Sequence, residues 1–102
     1  IQGIQDITRY TFYQKLTALP YVERIILYGS RARGDNRLFS DIDLAIDCPR
    51  ATNSDWHMLK DIVDDADTLL PIDCVRFDIL DEHDPLKLNI AHDGVVIFER
   101  SK

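Results

Sequence analysis

Apolar and polar residues alternate along several short stretches of the chain, a pattern that is typical of half-buried β-strands. The clearest stretch is residues 41–47, in which Ile42, Leu44 and Ile46 share one face. Three further stretches are rich in β-branched and apolar residues and also predict strands. They cover residues 22–28, 72–77 and 95–98. The chain is therefore expected to build a sheet of four strands.

Helical segments are predicted before the first of these strands and between the others. Residues 5–18 predict a first helix, and Pro20 ends it because proline cannot continue a helix. A short helical turn is predicted from Ser30 to Gly34, with the glycine as its C-terminal cap. Along the chain, these two segments flank the strand predicted at residues 22–28.

The longest predicted helix covers residues 54–70, with Ser54 or Asn53 as its N-terminal cap. Polar residues interrupt its apolar positions at the period of an amphipathic helix. The apolar stripe consists of Trp56, Leu59, Ile62 or Val63, Ala66 and Leu69.

A last helix is predicted at residues 84–92, with Asp84 as its cap and Pro85 in its first turn. The elements then follow the order αβαβαβαβ in a single domain, residues 1–102, a length that fits one hydrophobic core. We expect an α+β fold in which helices cover one face of the sheet and leave the other face open for a site.

Acidic residues dominate the charge of the chain. The net charge is −6, and fifteen of the eighteen acidic residues are Asp. Aspartate is a poor helix former, but it serves well in caps, in turns and as a ligand of hard metal ions. Most non-specific affinity for nucleic acid comes from basic residues, so DNA or RNA is not expected as a partner.

Apolar runs and cysteines indicate the compartment. No apolar run approaches the ~20 residues of a membrane helix, and no secretory signal is recognisable. The two cysteines, Cys48 and Cys74, do not form a C-x-x-C pair and are expected to be buried thiols. A cytoplasmic protein without a membrane partner is the prediction.

Gly29 and Ser30 directly follow the first predicted strand. A glycine there lets the backbone approach a ligand closely. Ser30 would begin a helical turn, whose free N–H groups attract phosphate, and its hydroxyl adds a donor. A plain turn with a capping serine would give the same pair of residues, so this pair predicts a phosphate site only together with other signals.

Asp41 and Asp43 lie on the acidic face of the strand at residues 41–47. Alternate strand residues point the same way, with Cα atoms about 6.6 Å apart at ~3.3 Å per residue. Two like charges so close favour a shared cation. Mg²⁺ fits because it takes oxygen ligands and keeps open positions for substrate phosphates. An exposed strand face is the alternative explanation.

Asp73 is a lone carboxylate in the otherwise apolar strand at residues 72–77. Core strands avoid Asp unless it has a partner. If this strand neighbours residues 41–47, three carboxylates could hold two cations roughly 3.5–4 Å apart, an arrangement suited to in-line attack at phosphorus. Asp73 would then accept the proton of the attacking hydroxyl.

Together these residues form a recognisable pattern: Gly29-Ser30, then Asp41-x-Asp43, then a strand Asp about thirty positions on. The chain resembles the polymerase-β-type nucleotidyltransferase superfamily. More narrowly, the stretches 29–34 and 40–45 are similar to the signature of the minimal nucleotidyltransferases (MNT), the antitoxin partners of HEPN-domain toxins. The ending at residues 94–98 is also similar to the last strand of that group.

The resemblance implies a mixed β-sheet with the palm fold of polymerase β. It implies that Gly29 and Ser30 hold the triphosphate of ATP, and that Asp41, Asp43 and Asp73 bind Mg²⁺, with two ions expected. The reaction would transfer AMP from ATP to a hydroxyl. In the antitoxin group this hydroxyl belongs to a Tyr of the HEPN toxin. Larger relatives have an extra acceptor domain, so here the acceptor site is expected from a partner or a second copy.

Three other functions remain open on the sequence. The domain could neutralise a toxin by stoichiometric binding, with a nucleotide site that no longer catalyses. It could modify a small molecule, as longer aminoglycoside-modifying relatives do. It could also be an Asp-rich metal-binding module, although the twelve-residue pattern of a calcium loop is missing.

Several polar residues beside the motifs have two interpretations. Arg31 and Arg33 could contact the triphosphate or the acceptor, or could balance the charge of the acidic face; Arg31 is the predicted nucleotide ligand because it adjoins Ser30. Ser40 is expected to brace the turn before Asp41. The remaining acidic and histidine side chains near these segments are expected at the surface: Asp47, Asp64, Asp65, Asp67, His57, His83 and His92.

Overall fold

The computed structural model describes residues 7–38 and 40–101 and contains one four-stranded sheet. The strands are β1 (Arg24–Tyr28), β2 (Ile42–Asp47), β3 (Ile72–Arg76) and β4 (Val95–Glu99). They lie in the order β3-β2-β1-β4, with β2 and β3 parallel and the other neighbours antiparallel. The predicted mixed sheet is thereby confirmed.

Helices separate the strands along the chain. They are α1 (Thr11–Thr17), α2 (Ser30–Arg33), α3 (Asn53–Asp64) and α4 (Pro85–Asp93), with a 3₁₀ turn at Phe77–Ile79 after β3. The order αβαβαβαβ is confirmed, and the 3₁₀ turn takes Phe77 out of the predicted third strand. Within the described part of the chain, none of the helices has the length and apolar character needed to cross a lipid bilayer.

One face of the sheet packs against α1 and α3 and forms the main hydrophobic core. Ile42, Leu44 and Ile46 are completely buried on this face, as their alternation predicts. Each such side chain stabilises the fold by about 1.5–3 kcal/mol relative to an exposed position. The helix residues buried in the same cluster are Phe12, Leu16, Leu59 and Val63. This layer fixes β2, the strand on which two candidate carboxylates depend.

The second face is partly covered, which differs from the expectation of helices on one face only. Ile90 of α4 is 2% exposed and packs in a smaller cluster with Ile26, Tyr28 and Ala45. The helix α4 covers the part of this face that is apolar. The part of the face around Asp43 is polar, and the side chain of Asp43 retains partial access to solvent.

The first predicted helix is interrupted: Ile7 and Thr8 are helical, and the helix α1 begins only at Thr11. Residues 5 and 6 of the predicted helix lie outside the described residues, and Tyr10 has an extended backbone (φ −71°, ψ 147°) directly before α1. The carboxylate of Asp67 accepts hydrogen bonds from the amides of Thr11 (3.1 Å) and Phe12 (3.3 Å). A distant aspartate therefore caps this helix. Asp67 is exposed, as predicted, but it lies beyond the end of the long helix and is not part of a helix face.

The long predicted helix is also shorter than expected. Thr52, and not Ser54 or Asn53, caps α3: its hydroxyl accepts from the amide of Asp55, whose carboxylate accepts from the amide of Thr52. The helix ends at Asp64 because the following segment caps α1 instead of continuing. Leu69, predicted in the apolar stripe, is fully exposed.

Candidate active site

Two of the three predicted carboxylates lie side by side on the sheet. Asp73 of β3 is the register partner of Asp43 in the parallel pair, and Tyr28 of β1 is the register partner of Asp43 on its other side. Laterally paired strand residues point to the same face. Tyr28, Asp43 and Asp73 therefore form one row at the end of the sheet where β1 ends and β2 and β3 begin. The strand of Asp73 is therefore a neighbour of the strand of Asp43, as the predicted grouping of the carboxylates requires.

Gly29 brings the turn after β1 directly against this row. It has a positive φ of 75°, and a Cβ atom at this position would collide with the carboxylate of Asp43. Only glycine combines that backbone conformation with so close an approach. The backbone at Gly29 thus lies against the central carboxylate of the row. Its predicted close approach to a ligand stays a prediction.

Helix α2 starts immediately after this glycine. The amides of Ala32 and Arg33 both donate to the Gly29 carbonyl at 3.1 Å, which leaves the amides of Ser30 and Arg31 without an intrahelical acceptor. Gly34 ends the helix in the left-handed conformation (φ 84°), as predicted. Two amides and the Ser30 hydroxyl are thus donors for an anion beside Asp43.

The electrostatics of the row favour a cation. Burial raises the pKa of Asp43 above its ordinary value, and the carboxylates of Asp73 and Asp41 raise it further. Arg31 and Arg33 oppose this effect and lower the pKa, but the net direction is upward. Burial and the two neighbouring carboxylates together outweigh the arginines, so the ionised form of Asp43 is poorly stabilised in the absence of a cation.

Asp41 precedes β2, and its exposed side chain does not lie in the row itself. Across residues 7–38 and 40–101, no three carboxylate, imidazole or thiol groups are arranged as a ready metal-binding cluster. Asp43 and Asp73 nevertheless supply adjacent oxygen donors, and Asp41 acts electrostatically on Asp43. An all-oxygen, net negative donor set suits Mg²⁺. The residues fit this ion chemically. To bind it together with Asp43 and Asp73, the exposed side chain of Asp41 would have to turn toward them.

Arg31 holds the loop that leads to Asp41. Its Nη2 donates to the carbonyl of Ser40 at 2.7 Å, and its Nε lies 3.2 Å from that oxygen and 3.3 Å from the carbonyl of Asp41. Ser40 braces the same loop as predicted, because its hydroxyl accepts from the amide of Arg37 at 2.8 Å. A phosphate contact by Arg31 remains a prediction, and what the structure adds is this anchoring role.

Tyr28 is the site residue that sequence reasoning missed. It is 8% exposed, and burial together with the carboxylates of Asp73 and Asp43 raises its pKa to about 12, so the phenol stays neutral. In the sequence, Tyr28 is the last residue of a predicted strand, and nothing around it indicates a role in the site. The register with Asp43 places it in the row, and no local pattern could have shown that.

A pocket of about 280 Å³ lies beside this row, between the β1–α2 turn and α4. Its walls come from two segments far apart in the sequence. They are formed by Tyr28, Gly29, Arg33, Leu86, Asn89 and Asp93. The pocket therefore opens next to the candidate phosphate turn.

Other polar residues lie away from the row. Asp47 occupies the opposite end of β2 and pairs with Arg24 at 2.9 Å, so it is an ion-pair partner and not a bare surface residue. Arg24 and Asp47 both line a larger pocket of about 480 Å³ at that end, and their ion pair neutralises both charges there. The three predicted surface histidines are exposed; they are His57, His83 and His92.

The two thiols are buried and unpaired with each other, as predicted. Burial raises the pKa of Cys48 and of Cys74 to about 12. Neither cysteine is therefore a ready thiolate for nucleophilic attack or metal binding.

Solved structures share this fold at low sequence identity. A crystal structure of a toxin–antitoxin with AMP-PNP matches 98% of this chain and 73% of its own, with a TM-score of 0.57 and 20% identity. A protein from Sulfolobus solfataricus described as a candidate nucleotidyltransferase matches 99% of this chain and 84% of its own, with a TM-score of 0.60 and 18% identity.

A third similar structure is a variant of the toxin–antitoxin MntA–HpeT in which two aspartates two positions apart are replaced by glutamate. It matches 96% of this chain and 74% of its own, with a TM-score of 0.58 and 16% identity. No curated protein sequence matches the chain significantly. At these identities the similar structures establish the fold alone.

The family assignment comes from the sequence model of one family, described as polymerase beta, nucleotidyltransferase. It matches residues 12–102, nearly the whole chain and all of the strands that form the row of Tyr28, Asp43 and Asp73. The chain belongs to the polymerase β nucleotidyltransferase family.

Proposed function

We propose that this domain is a Mg²⁺-dependent nucleotidyltransferase that transfers AMP from ATP to a tyrosine hydroxyl of a partner HEPN-type toxin, and that it acts as the antitoxin of that pair. One observation supports this proposal most directly. The register of the parallel strands β2 and β3 places Asp43 beside Asp73, and the β1–α2 turn lies against Asp43 because Gly29 has no side chain.

The nucleotide would enter with its triphosphate over the β1–α2 turn. The amides of Ser30 and Arg31 lack intrahelical acceptors, and the Ser30 hydroxyl adds a third donor. Because Gly29 has no Cβ, phosphate oxygens can come close to the turn and to Asp43 at once. Arg31 would add charge to this contact while it anchors the loop before Asp41.

Asp41, Asp43 and Asp73 would hold the magnesium, with two ions expected. When bound, Mg²⁺ neutralises phosphate charge and orients the phosphates for in-line displacement. The chain itself contributes the position of the carboxylates: β2 is fixed by the main core, and β3 is fixed by its register with β2. Little more than positioning and charge neutralisation is needed for this reaction.

In the transfer step, the acceptor oxygen forms a bond to the α-phosphorus, and the bond from that phosphorus to the bridging oxygen breaks. Pyrophosphate leaves, and the acceptor proton goes to a base. Asp73 is the proposed base because it is exposed on the edge strand β3, where a protein acceptor can approach it.

The toxin partner is proposed from the similar structures. Two of them are toxin–antitoxin complexes, one with AMP-PNP, an ATP analogue. The variant of MntA–HpeT alters two aspartates at the same spacing as Asp41 and Asp43. These likenesses favour an antitoxin that modifies its partner over a domain that modifies a small molecule.

Labelled ATP tests the proposal. The protein would be added with Mg²⁺ to a lysate of its source cells, with the label on the α-phosphate or on the γ-phosphate. We expect α-label, and no γ-label, on one discrete protein band. Asp41→Asn and Asp73→Asn should abolish the labelling. Asp61→Asn is the matched control, because Asp61 is exposed on α3, away from the row.

The outcomes separate the functions that were left open. Labelling that the Asp73→Asn protein retains would refute the proposed site. If wild type labels nothing but still binds and neutralises a toxin, the domain acts by stoichiometric binding. If label appears on a small molecule and no protein band, the acceptor is not a partner protein. Thermal unfolding without metal verifies that the variants fold.

A further inference from the structure

The pocket between the β1–α2 turn and α4 has one wall that already belongs to the candidate site. Gly29 lines it and also contacts Asp43. The facing wall is a single stripe of α4, because Leu86, Asn89 and Asp93 are separated by three and four positions. A ligand group in this pocket would therefore be continuous with phosphates bound over the turn.

The chemistry of the walls suits a flat ring with a polar edge. Leu86 and the small exposed part of Tyr28 provide apolar surface, and both belong to the cluster under α4. Asn89 is exposed, and within residues 7–38 and 40–101 its side-chain amide has no hydrogen-bond partner. An amide offers both donors and an acceptor. Ligand sites typically combine apolar walls with a few placed polar groups.

Arg33 and Asp93 form the charged rim of the pocket. Their closest atoms, Nη1 and Oδ2, are 3.6 Å apart, and each also has a second partner: Asp35 for Arg33 and His92 for Asp93. The hydrogen bond from His92 lowers the pKa of Asp93, and Arg33 lowers it further, so the carboxylate is ionised at neutral pH. The rim is thus polar but nearly balanced in charge.

We propose that this pocket binds the nucleoside half of the nucleotide substrate, with the base against Tyr28 and Leu86 and with the Asn89 amide bonded to the polar edge of the base. This inference rests on the proposed function and adds the specificity-determining residue. The volume of about 280 Å³ lies just below the ~300 Å³ at which whole-ligand pockets begin, so it suits part of a nucleotide.

The geometry separates the nucleoside from the acceptor. The pocket adjoins Tyr28 on β1, whereas Asp73, the proposed base, lies on β3 at the opposite side of the row. Asp43 lies between them, next to the phosphate turn. A nucleoside in the pocket leaves the β3 side free for the hydroxyl of the partner protein.

Binding measurements by calorimetry test this inference without relying on transfer. ATP, GTP and inorganic triphosphate, each with Mg²⁺, would be titrated into the wild type, Asn89→Ala and Asn89→Trp. We expect Asn89→Ala to weaken ATP binding about fivefold, as for one hydrogen bond, and to change the ratio of ATP to GTP affinity. Asn89→Trp should weaken both nucleotides more, because it fills the pocket. Triphosphate affinity should stay unchanged in both variants.

Asn53→Ala is the matched control, since Asn53 is also an exposed helical asparagine but lies on α3. If wild type binds ATP and triphosphate while both Asn89 variants bind ATP as wild type does, this inference fails and the proposed function stands. If Asn89→Trp keeps ATP affinity but blocks labelling of the acceptor, the pocket belongs to the acceptor. If wild type binds neither ATP nor triphosphate, both proposals fail.

Discussion

Asp43 and Asp67 show opposite electrostatic situations for the same side chain. Burial and the carboxylates of Asp73 and Asp41 raise the pKa of Asp43, because its ionised form is poorly stabilised. Hydrogen bonding, first of all from the amide of Thr11, lowers the pKa of Asp67. The first aspartate is thus suited to receive a cation, and the second stabilises the fold as a helix cap.

The cap predicts a pH dependence of stability. Because the folded pKa of Asp67 is below its ordinary value of 3.8, its contribution is present above that value and disappears as the pH falls through the folded pKa. Asp67→Asn should therefore lower the urea midpoint at pH 7, and the difference from wild type should shrink as the pH falls below 3.8 and vanish below the folded pKa. Asp61→Asn should match wild type throughout, and an equal loss in both variants would refute the cap.

Arg31 predicts a kinetic effect that separates anchoring from phosphate binding. Arg31→Lys keeps the positive charge but removes the guanidinium group, whose two nitrogens donate to the carbonyls of Ser40 and Asp41. We expect kcat to fall about 10–100-fold, as for supports of metal ligands, with little change in triphosphate affinity. Arg37→Lys, exposed in the same loop, is the control. A weaker triphosphate affinity at unchanged kcat would instead assign Arg31 to phosphate binding alone.

At the scale of elements, the β1–α2 turn connects the row of carboxylates to the candidate phosphate donors. Both ends of α2 need a positive φ, at Gly29 and at Gly34, but only the first glycine has a close neighbour. The same substitution at these two positions therefore distinguishes backbone strain from damage to the site.

Gly29→Ala and Gly34→Ala form this matched pair. Each should cost about 1–2 kcal/mol of stability, because alanine disfavours a positive φ. Only Gly29→Ala should also lower transfer, by about a hundredfold, since its Cβ displaces the carboxylate of Asp43. Urea unfolding and labelled-ATP assays measure the two effects. If both variants lose the same amount of transfer activity, backbone strain explains the loss and displacement of the Asp43 carboxylate does not.

At the scale of the whole molecule, the position of Asp73 depends on how the edge strand β3 is held. Arg76 of this strand donates to the carbonyls of Cys48 (3.1 Å) and Ala51 (2.9 Å) and pairs with Asp78 at 3.1 Å. Both side chains of that pair are only 11% exposed. This network joins β3 to the segment between β2 and α3.

Arg76→Ala should destabilise the protein by about 3 kcal/mol, because it leaves the largely buried carboxylate of Asp78 without its cationic partner. Arg50→Ala breaks the pair with Glu23, in which the Arg50 side chain is 67% exposed, and should cost less than about 1 kcal/mol. Urea unfolding of both variants measures the difference. Similar losses would show that the Arg76 network does not anchor β3.

Local patterns in the sequence determined much of this protein. Alternation predicted the buried face of β2, glycine and proline predicted the ends of α2 and the start of α4, and the spacing of Gly29, Ser30, Asp41 and Asp43 indicated the family. These features depend on residues close along the chain, whose periodicity and backbone preferences act locally. They gave the element order and the candidate residues.

Only the tertiary structure decided which distant groups meet. Strand register placed Tyr28 beside Asp43, and Asp67 capped a helix 56 residues away in the sequence. The packing of Ile90 brought α4 over the second face and so created the pocket. Such contacts depend on burial and hydrogen-bond satisfaction summed over the whole molecule, and no local pattern encodes them.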